Sequence, residues 1–216
     1  MFEDKKYFPL FPTTVWGFKL SADDTKRINA DVVNLLDRLI AAAPAKTDQL
    51  QTAHDLHTLP EMEELNGFFM NGVGEVLDAL ATEHTEMEIT GCWANIHPAD
   101  FPHRSHSHSN NFLSAVYYVT APEGGNTITF EDPRIQPTIM FPPVKELNCY
   151  TAEYADINVV DGLLLLFPSW LVHSVPPGDS KARRISIAFN VNFTDFSARI
   201  SPPLWEANVP THPRSS

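Results

Sequence analysis

The sequence predicts a mainly β fold with helices in front of it, because its hydrophobic period changes once along the chain. Up to about residue 83 apolar residues recur at helical spacing; from about Glu86 they come in short runs broken by Pro, Gly and Asp. Several short strands with turn signals and no later helical pattern suggest a sandwich or barrel. A chain of 216 residues fits one unit. Its expected parts are a helical stretch 1–85 packed on a β-core 86–200, then a loose Pro- and Ser-rich tail 201–216.

The bulk composition narrows the function classes. Acidic residues number 27 against 15 basic ones, a net charge of −12 with no clustered basic run, which argues against binding nucleic acid through a basic surface. No apolar stretch approaches the roughly 18 residues of a membrane span, and Met1-Phe-Glu-Asp-Lys-Lys6 lacks a charged-then-apolar leader pattern. A soluble, cytoplasmic protein is expected. Cys92 and Cys149 form no CxxC and read as reduced thiols. Oligomeric state is not written in these numbers, and a homodimer stays open.

The elements follow in order. Thr14–Lys19 reads as an opening strand, after a Pro-interrupted aromatic stretch. Ser21 is placed as an N-cap, with Asp23 and Asp24 in the favourable first turn. Ile28, Val32, Leu35, Leu36, Leu39 and Ile40 then form one helical stripe, ended by Pro44. Residues 44–57 read as a polar loop. Thr58-Leu-Pro-Glu61 has capping-box spacing, and Met62, Leu65, Phe68, Phe69, Val73, Val76, Leu77 and Leu80 give a second stripe that Gly67, Gly72 and Gly74 weaken. Strands are expected at 86–97, 112–120, 126–131, 147–152, 156–160, 162–167, 170–175 and 184–193. Helices 22–43 and 60–83 and the loop 132–149 are expected to shape the entrance to any site.

The chemistry centres on histidine. His106 and His108, at i and i+2, would project from one face of an extended strand and could close on one metal ion. His173 emerges behind the apolar run Gly162-Leu-Leu-Leu-Leu-Phe167 and supplies a third imidazole. Asp100, Glu131 and Asp132 are carboxylates near in sequence, so the triad is either three-His or includes an acid. Arg184 and Ser186 share one strand face with Ala188, Asn190 and Asn192, while Ile185, Ile187, Phe189, Val191 and Phe193 face the core. An Arg on the cleft side grips a carboxylate with two parallel hydrogen bonds, and a hydroxyl two residues on adds a third. Arg183 would point the other way. Trp93, Asn95, Ser114 and Tyr118 are candidate cleft-lining residues.

Together these motifs resemble a family of 2-oxoglutarate- and iron(II)-dependent oxygenases of bacteria and phages. The residues that carry the resemblance are Trp93-Ala-Asn95, His106-Ser-His108-Ser-Asn110, Leu113-Ser114-Ala-Val-Tyr117-Tyr118, Glu131-Asp132-Pro133-Arg134, Phe167-Pro168-Ser169-Trp170-Leu-Val-His173 and Arg184-Ile-Ser-Ile-Ala-Phe-Asn190. Upstream it extends to Leu10-Phe11-Pro12-Thr13 and Gln51-Thr52. The resemblance implies a double-stranded β-helix (jelly-roll, cupin-like) core that binds Fe(II) and 2-oxoglutarate. It uses O2 to oxidise, by hydroxylation, a substrate the sequence does not identify. His106 matches the first metal ligand and His173 the distal one, and His108 stands where the wider superfamily has Asp or Glu. Arg184, helped by Ser186, matches the residue that pairs with the far carboxylate of 2-oxoglutarate; Asn95, Ser114 and Tyr118 are candidates for the same cofactor site, with core roles as the alternative for each. Two other readings share the architecture. One is a cupin-type three-His metal enzyme that does not use 2-oxoglutarate, though Phe112 and Leu113 stand where its first motif expects Glu. The other is a metal-free jelly-roll binding module.

Overall fold

A computed structural model describes residues 3–43, 49–82, 86–134 and 142–194. The tail 201–216 lies outside the described residues. Two antiparallel sheets face each other, with two helices on the outside of the larger one. The strands are β1 (Trp16–Lys19), β2 (Leu50–Gln51), β3 (Met87–Pro98), β4 (His103–His106), β5 (Leu113–Thr120), β6 (Thr127–Glu131), β7 (Tyr154–Asn158), β8 (Leu163–Pro168), β9 (His173–Val175) and β10 (Arg183–Phe193). The helices are α1 (Ala22–Ala42) and α2 (Glu63–Ala79), the latter preceded by short 3-10 turns at Leu56–Thr58 and Pro60–Met62. The larger sheet runs β1-β8-β5-β10-β3-β2 and the smaller β4-β9-β6-β7. That is the double-stranded β-helix, as expected. No helix among the described residues is long and apolar enough to cross a membrane.

Alternation along the central strands decides which side chains meet helix and which meet the interior. On β10, Ile185, Ile187, Phe189 and Val191 join α1 and α2 in the main apolar cluster, as do Leu113, Ala115, Tyr117 and Val119 of β5. Phe69 of α2 stacks on Phe189 at 4.4 Å. Asn29 of α1 donates to the Val119 carbonyl (2.8 Å) and accepts from the Tyr117 hydroxyl (2.6 Å), so this buried polar pair is satisfied. Between the sheets, Ile128, Phe130, Leu165, Phe167 and Leu171 form a second cluster. β8 is apolar on both faces for that reason: Leu164 and Leu166 face the helices, Leu165 and Phe167 the interior.

The sequence-based elements mostly stand where expected. Ser21 accepts from the Asp24 N–H at 3.1 Å and caps α1. Gly72 proves to be a packing residue. A Cβ there would stand 3.1 Å from side-chain atoms of Leu164 and Leu166, so its bareness lets α2 approach β8. Thr58 does not cap α2. Its hydroxyl donates back to the Asp55 carbonyl at 2.7 Å, and α2 begins after Met62 with no side-chain cap. The expected strand 147–152 is a turn, because the Asn148 side chain accepts from the Tyr150 N–H at 2.9 Å and holds the chain bent. β7 lies two residues earlier than expected, and β9 is short because Leu171 N–H bonds the Pro168 carbonyl at 2.9 Å in a turn. Within the expected polar loop, Leu50–Gln51 adds an edge strand to β3.

Because α1 and α2 cover the outer face of the larger sheet, a fragment starting at Glu86 would expose the face formed by Tyr117, Ile187 and Phe189. It is expected to aggregate on expression. A soluble, monomeric, metal-binding 86–216 fragment would show that the helical part is separable.

Candidate active site

The three imidazoles meet at one point. β4 and β9 pair in a register that sets His106 opposite His173. His108 lies beyond the end of β4, where its backbone N–H donates to the Ser169 carbonyl at 2.9 Å. The expectation that His106 and His108 share a strand face is therefore corrected: only His106 is in a strand, and the Ser169 anchor brings His108 in. Ring centroids stand 4.4 Å apart for His106–His173, 5.1 Å for His106–His108 and 5.3 Å for His108–His173. One ring nitrogen from each lies within 4.8 Å of the other two.

Backbone carbonyls select which nitrogens are available. A carbonyl only accepts, so Nδ1 of His106 donates to Arg104 O (2.7 Å) and Nδ1 of His173 donates to Leu171 O (3.0 Å). Each Nε2 then keeps its lone pair for a metal. Burial, reinforced by the His173 and His106 rings, pushes His108 down to about 3. Burial also pushes His173 down to about 4, against the Leu171 hydrogen bond. Both are neutral at pH 7, the form that ligates. Among the described residues no carboxylate joins this group. Asp100 is tied to Lys181, and Asp132 to Arg134 at 2.6 Å. The donor set is all imidazole, which suits iron, zinc, copper or nickel.

The rings border a cavity of about 660 Å³ that also reaches Trp93, Asn95, Tyr118, Arg184 and Ser186. Arg184 is only 5% exposed. Its guanidinium donates to the carbonyls of Ala99 (3.1 Å), Gly125 (3.4 Å) and Phe101 (2.6 Å), and to no carboxylate among the described residues. Neutral carbonyls orient the charge without cancelling it, and burial holds the guanidinium below its ordinary value. The buried Tyr118 hydroxyl has no hydrogen-bond partner among the described residues. Burial pushes that phenol up, with the Arg184 charge opposing, so it remains a donor. A buried cation and an unused O–H in one cavity call for an anionic oxygen ligand.

The family model "Putative 2OG-Fe(II) oxygenase" matches residues 91–190, a span that holds the triad and Arg184. Over that span, just under half of the chain, the sequence matches the 2OG-Fe(II) oxygenase family. The protein is accordingly an Fe(II)- and 2-oxoglutarate-dependent dioxygenase that consumes O2 and a further substrate. No curated protein matches the chain. Solved structures share the fold of this oxygenase at low identity. HygX from Streptomyces hygroscopicus, with nickel and 2-oxoglutarate bound, has TM-score 0.60 and 11% identity over 84% of this chain and 83% of that one. A Pseudomonas putida prolyl-4-hydroxylase has TM-score 0.57 and 13% identity over 83% and 92%. A prolyl hydroxylase from Trichoplax adhaerens, in complex with a hypoxia inducible factor peptide fragment, has TM-score 0.59 and 13% identity over 87% of each chain.

Not every sequence candidate of the oxygenase lines its cavity. Ser114 sits behind the wall, donating to Asn190 at 2.7 Å. α1 and α2 are on the far side of the larger sheet and shape no entrance. Of the loop 132–149, residues 135–141 lie outside the described set, while Asp132, Pro133, Arg134 and Cys149 border a different groove. The exposed residues of the lining, which mark its mouth, are Gln49, Pro102 and Arg104–Ser107, with Gln51 half-buried. Sequence reasoning passed over Ala99, Phe101 and Gly125 entirely. They act through main-chain carbonyls, which no side-chain pattern reveals.

Proposed function

We propose that His106, His108 and His173 hold the iron, that Arg184, Tyr118 and Ser186 bind the far carboxylate of 2-oxoglutarate, and that the enzyme hydroxylates its substrate. One observation carries this reading: a buried guanidinium whose hydrogen-bond partners among the described residues are neutral carbonyls borders the same cavity as three converging imidazoles. The chemistry supplied by bound ferrous iron is activation of O2 coupled to decarboxylation of 2-oxoglutarate to succinate. The chain's own work is positional. Arg184 fixes one end of the dicarboxylate, the Tyr118 O–H donates a further bond, and the apolar wall of Val116, Ile128 and Val159 keeps water from competing.

Anaerobic Fe(II) titration with and without 2-oxoglutarate tests this directly. A visible charge-transfer band that needs both components is expected. Iron binding without a band would point to a metal enzyme that does not chelate the oxo acid; no iron binding would sink the triad.

The carbonyl cradle of Arg184 yields a sharper expectation. A Cβ on Gly125 would lie 2.4 Å from the Cβ of Ala99, whose carbonyl accepts from both Arg184 and the Gly178 N–H. Gly125→Ala should therefore displace Ala99, at about 1–3 kcal/mol of overpacking, and raise the 2-oxoglutarate requirement with iron affinity retained. Adding Ala99→Gly removes the colliding methyl and should restore much of the loss. If the double variant is no better than Gly125→Ala, the cradle does not act through this contact.

A further inference from the structure

Arg27, Arg38, Arg134 and Arg183 each have a carboxylate partner, at 2.6–2.7 Å to Glu64, Glu61, Asp132 and Asp37 respectively. The other arginines among the described residues are Arg104 and Arg184, and neither meets a carboxylate there. Both line the same cavity. That coincidence is informative in a chain with 27 acidic side chains and a net charge of −12, where an exposed guanidinium readily finds a partner. The described lining of the cavity contains no Asp or Glu at all.

Arg184 lies deep and is taken by the co-substrate in the reading above. Arg104 is exposed on β4, in the rim segment that carries His106 to the mouth, beside Ser105 and Ser107. The same lining carries the carboxamides of Gln49, Gln51 and Asn95. An acidic molecule repels anions over most of its surface, so an uncompensated cation at the opening reverses the local field where substrate must enter. Arg104 also cannot be explained as support for the metal site: what His106 uses is its main-chain carbonyl, which any residue supplies.

We propose that the cavity mouth is an anion-binding subsite centred on Arg104, which takes a carboxylate or phosphate group of a small primary substrate whose neutral polar groups meet Gln49, Gln51 and Asn95. The inference rests on the oxygenase reading, since it assigns Arg184 to 2-oxoglutarate. It excludes a polycationic substrate, for which the described cavity offers no countercharge.

The test is calorimetric titration of the intact protein, loaded anaerobically with Fe(II) and saturating 2-oxoglutarate, with benzoate, phenyl phosphate, benzamide and benzylamine. The anions should bind about tenfold tighter than their neutral and cationic counterparts, the scale of one charge-assisted hydrogen bond. Arg104→Ala should erase that preference, and Arg104→Lys should keep part of it, with 2-oxoglutarate affinity unchanged in both. Tighter phenyl phosphate than benzoate indicates a phosphate-bearing substrate, and the reverse a carboxylate. Benzylamine binding as well as the anions, a preference that survives Arg104→Ala, or no measurable binding of any probe overturns the proposal. Anions that displace 2-oxoglutarate occupy the Arg184 end and overturn it too. Failure of the wild-type protein to take up 2-oxoglutarate at the outset would instead strike the oxygenase reading, before Arg104 is tested.

Discussion

Arg184→Ala is expected to leave the fold and iron binding near normal while raising the 2-oxoglutarate concentration needed for turnover by roughly 30- to several-thousand-fold. The magnitude is that of truncating one partner of a buried charge pair, about 2–5 kcal/mol. It should lie at the high end, because the guanidinium is 5% exposed and already oriented by three carbonyls, so little ordering remains to be done on binding. Losing the fold is not expected, because Arg184 lines the cavity and stands outside the main apolar cluster. Tyr118→Phe and Ser186→Ala should act in the same direction but weakly, by about 0.5–1.5 kcal/mol for one neutral hydrogen bond each. Arg183→Ala should do little, since that side chain pairs with Asp37 on the outer surface at 2.7 Å. Succinate formation at varied 2-oxoglutarate, with iron content measured alongside, separates these cases. If Arg183 matters and Arg184 does not, the co-substrate assignment is wrong.

The second large effect concerns the metal. His106→Ala and His173→Ala should each abolish tight Fe(II) binding, a loss exceeding the roughly 10- to 100-fold typical of residues that only support a ligand. His108→Ala is the decisive member of the series, because His108 reaches the cluster from outside the strand and stands where a carboxylate might have been. Its loss should also be severe, and His108→Asp should retain iron by offering one oxygen at the same position. Thermal melts of the metal-free variants should stay close to wild type, since all three rings border a cavity and not the main apolar cluster. Full iron affinity in His108→Ala would mean a two-histidine site and would send the search for a third ligand elsewhere.

The chemistry-bearing side chains were legible before the fold was. His106 and His108 stand out as a closely spaced pair, His173 as a lone imidazole behind an apolar strand, and the Arg184–Ser186 face of β10 by alternation, all local properties readable from a few consecutive residues. The same locality made the α1 cap at Ser21 and both helical stripes readable. Local signals also misled where a side chain competed for backbone. Asn148 folded an apparent strand into a turn, and Thr58 bonded backward instead of capping α2. What only the tertiary structure decided is everything that depends on contacts between distant backbones. The Ser169 carbonyl brings His108 to the other two imidazoles, Thr52 pins the β2 edge to Ala94 and so places Gln51 in the cavity lining, and three carbonyls from two loops aim Arg184. A backbone carbonyl is the same in every residue, so the sequence names the groups that react but not the frame that points them at one another.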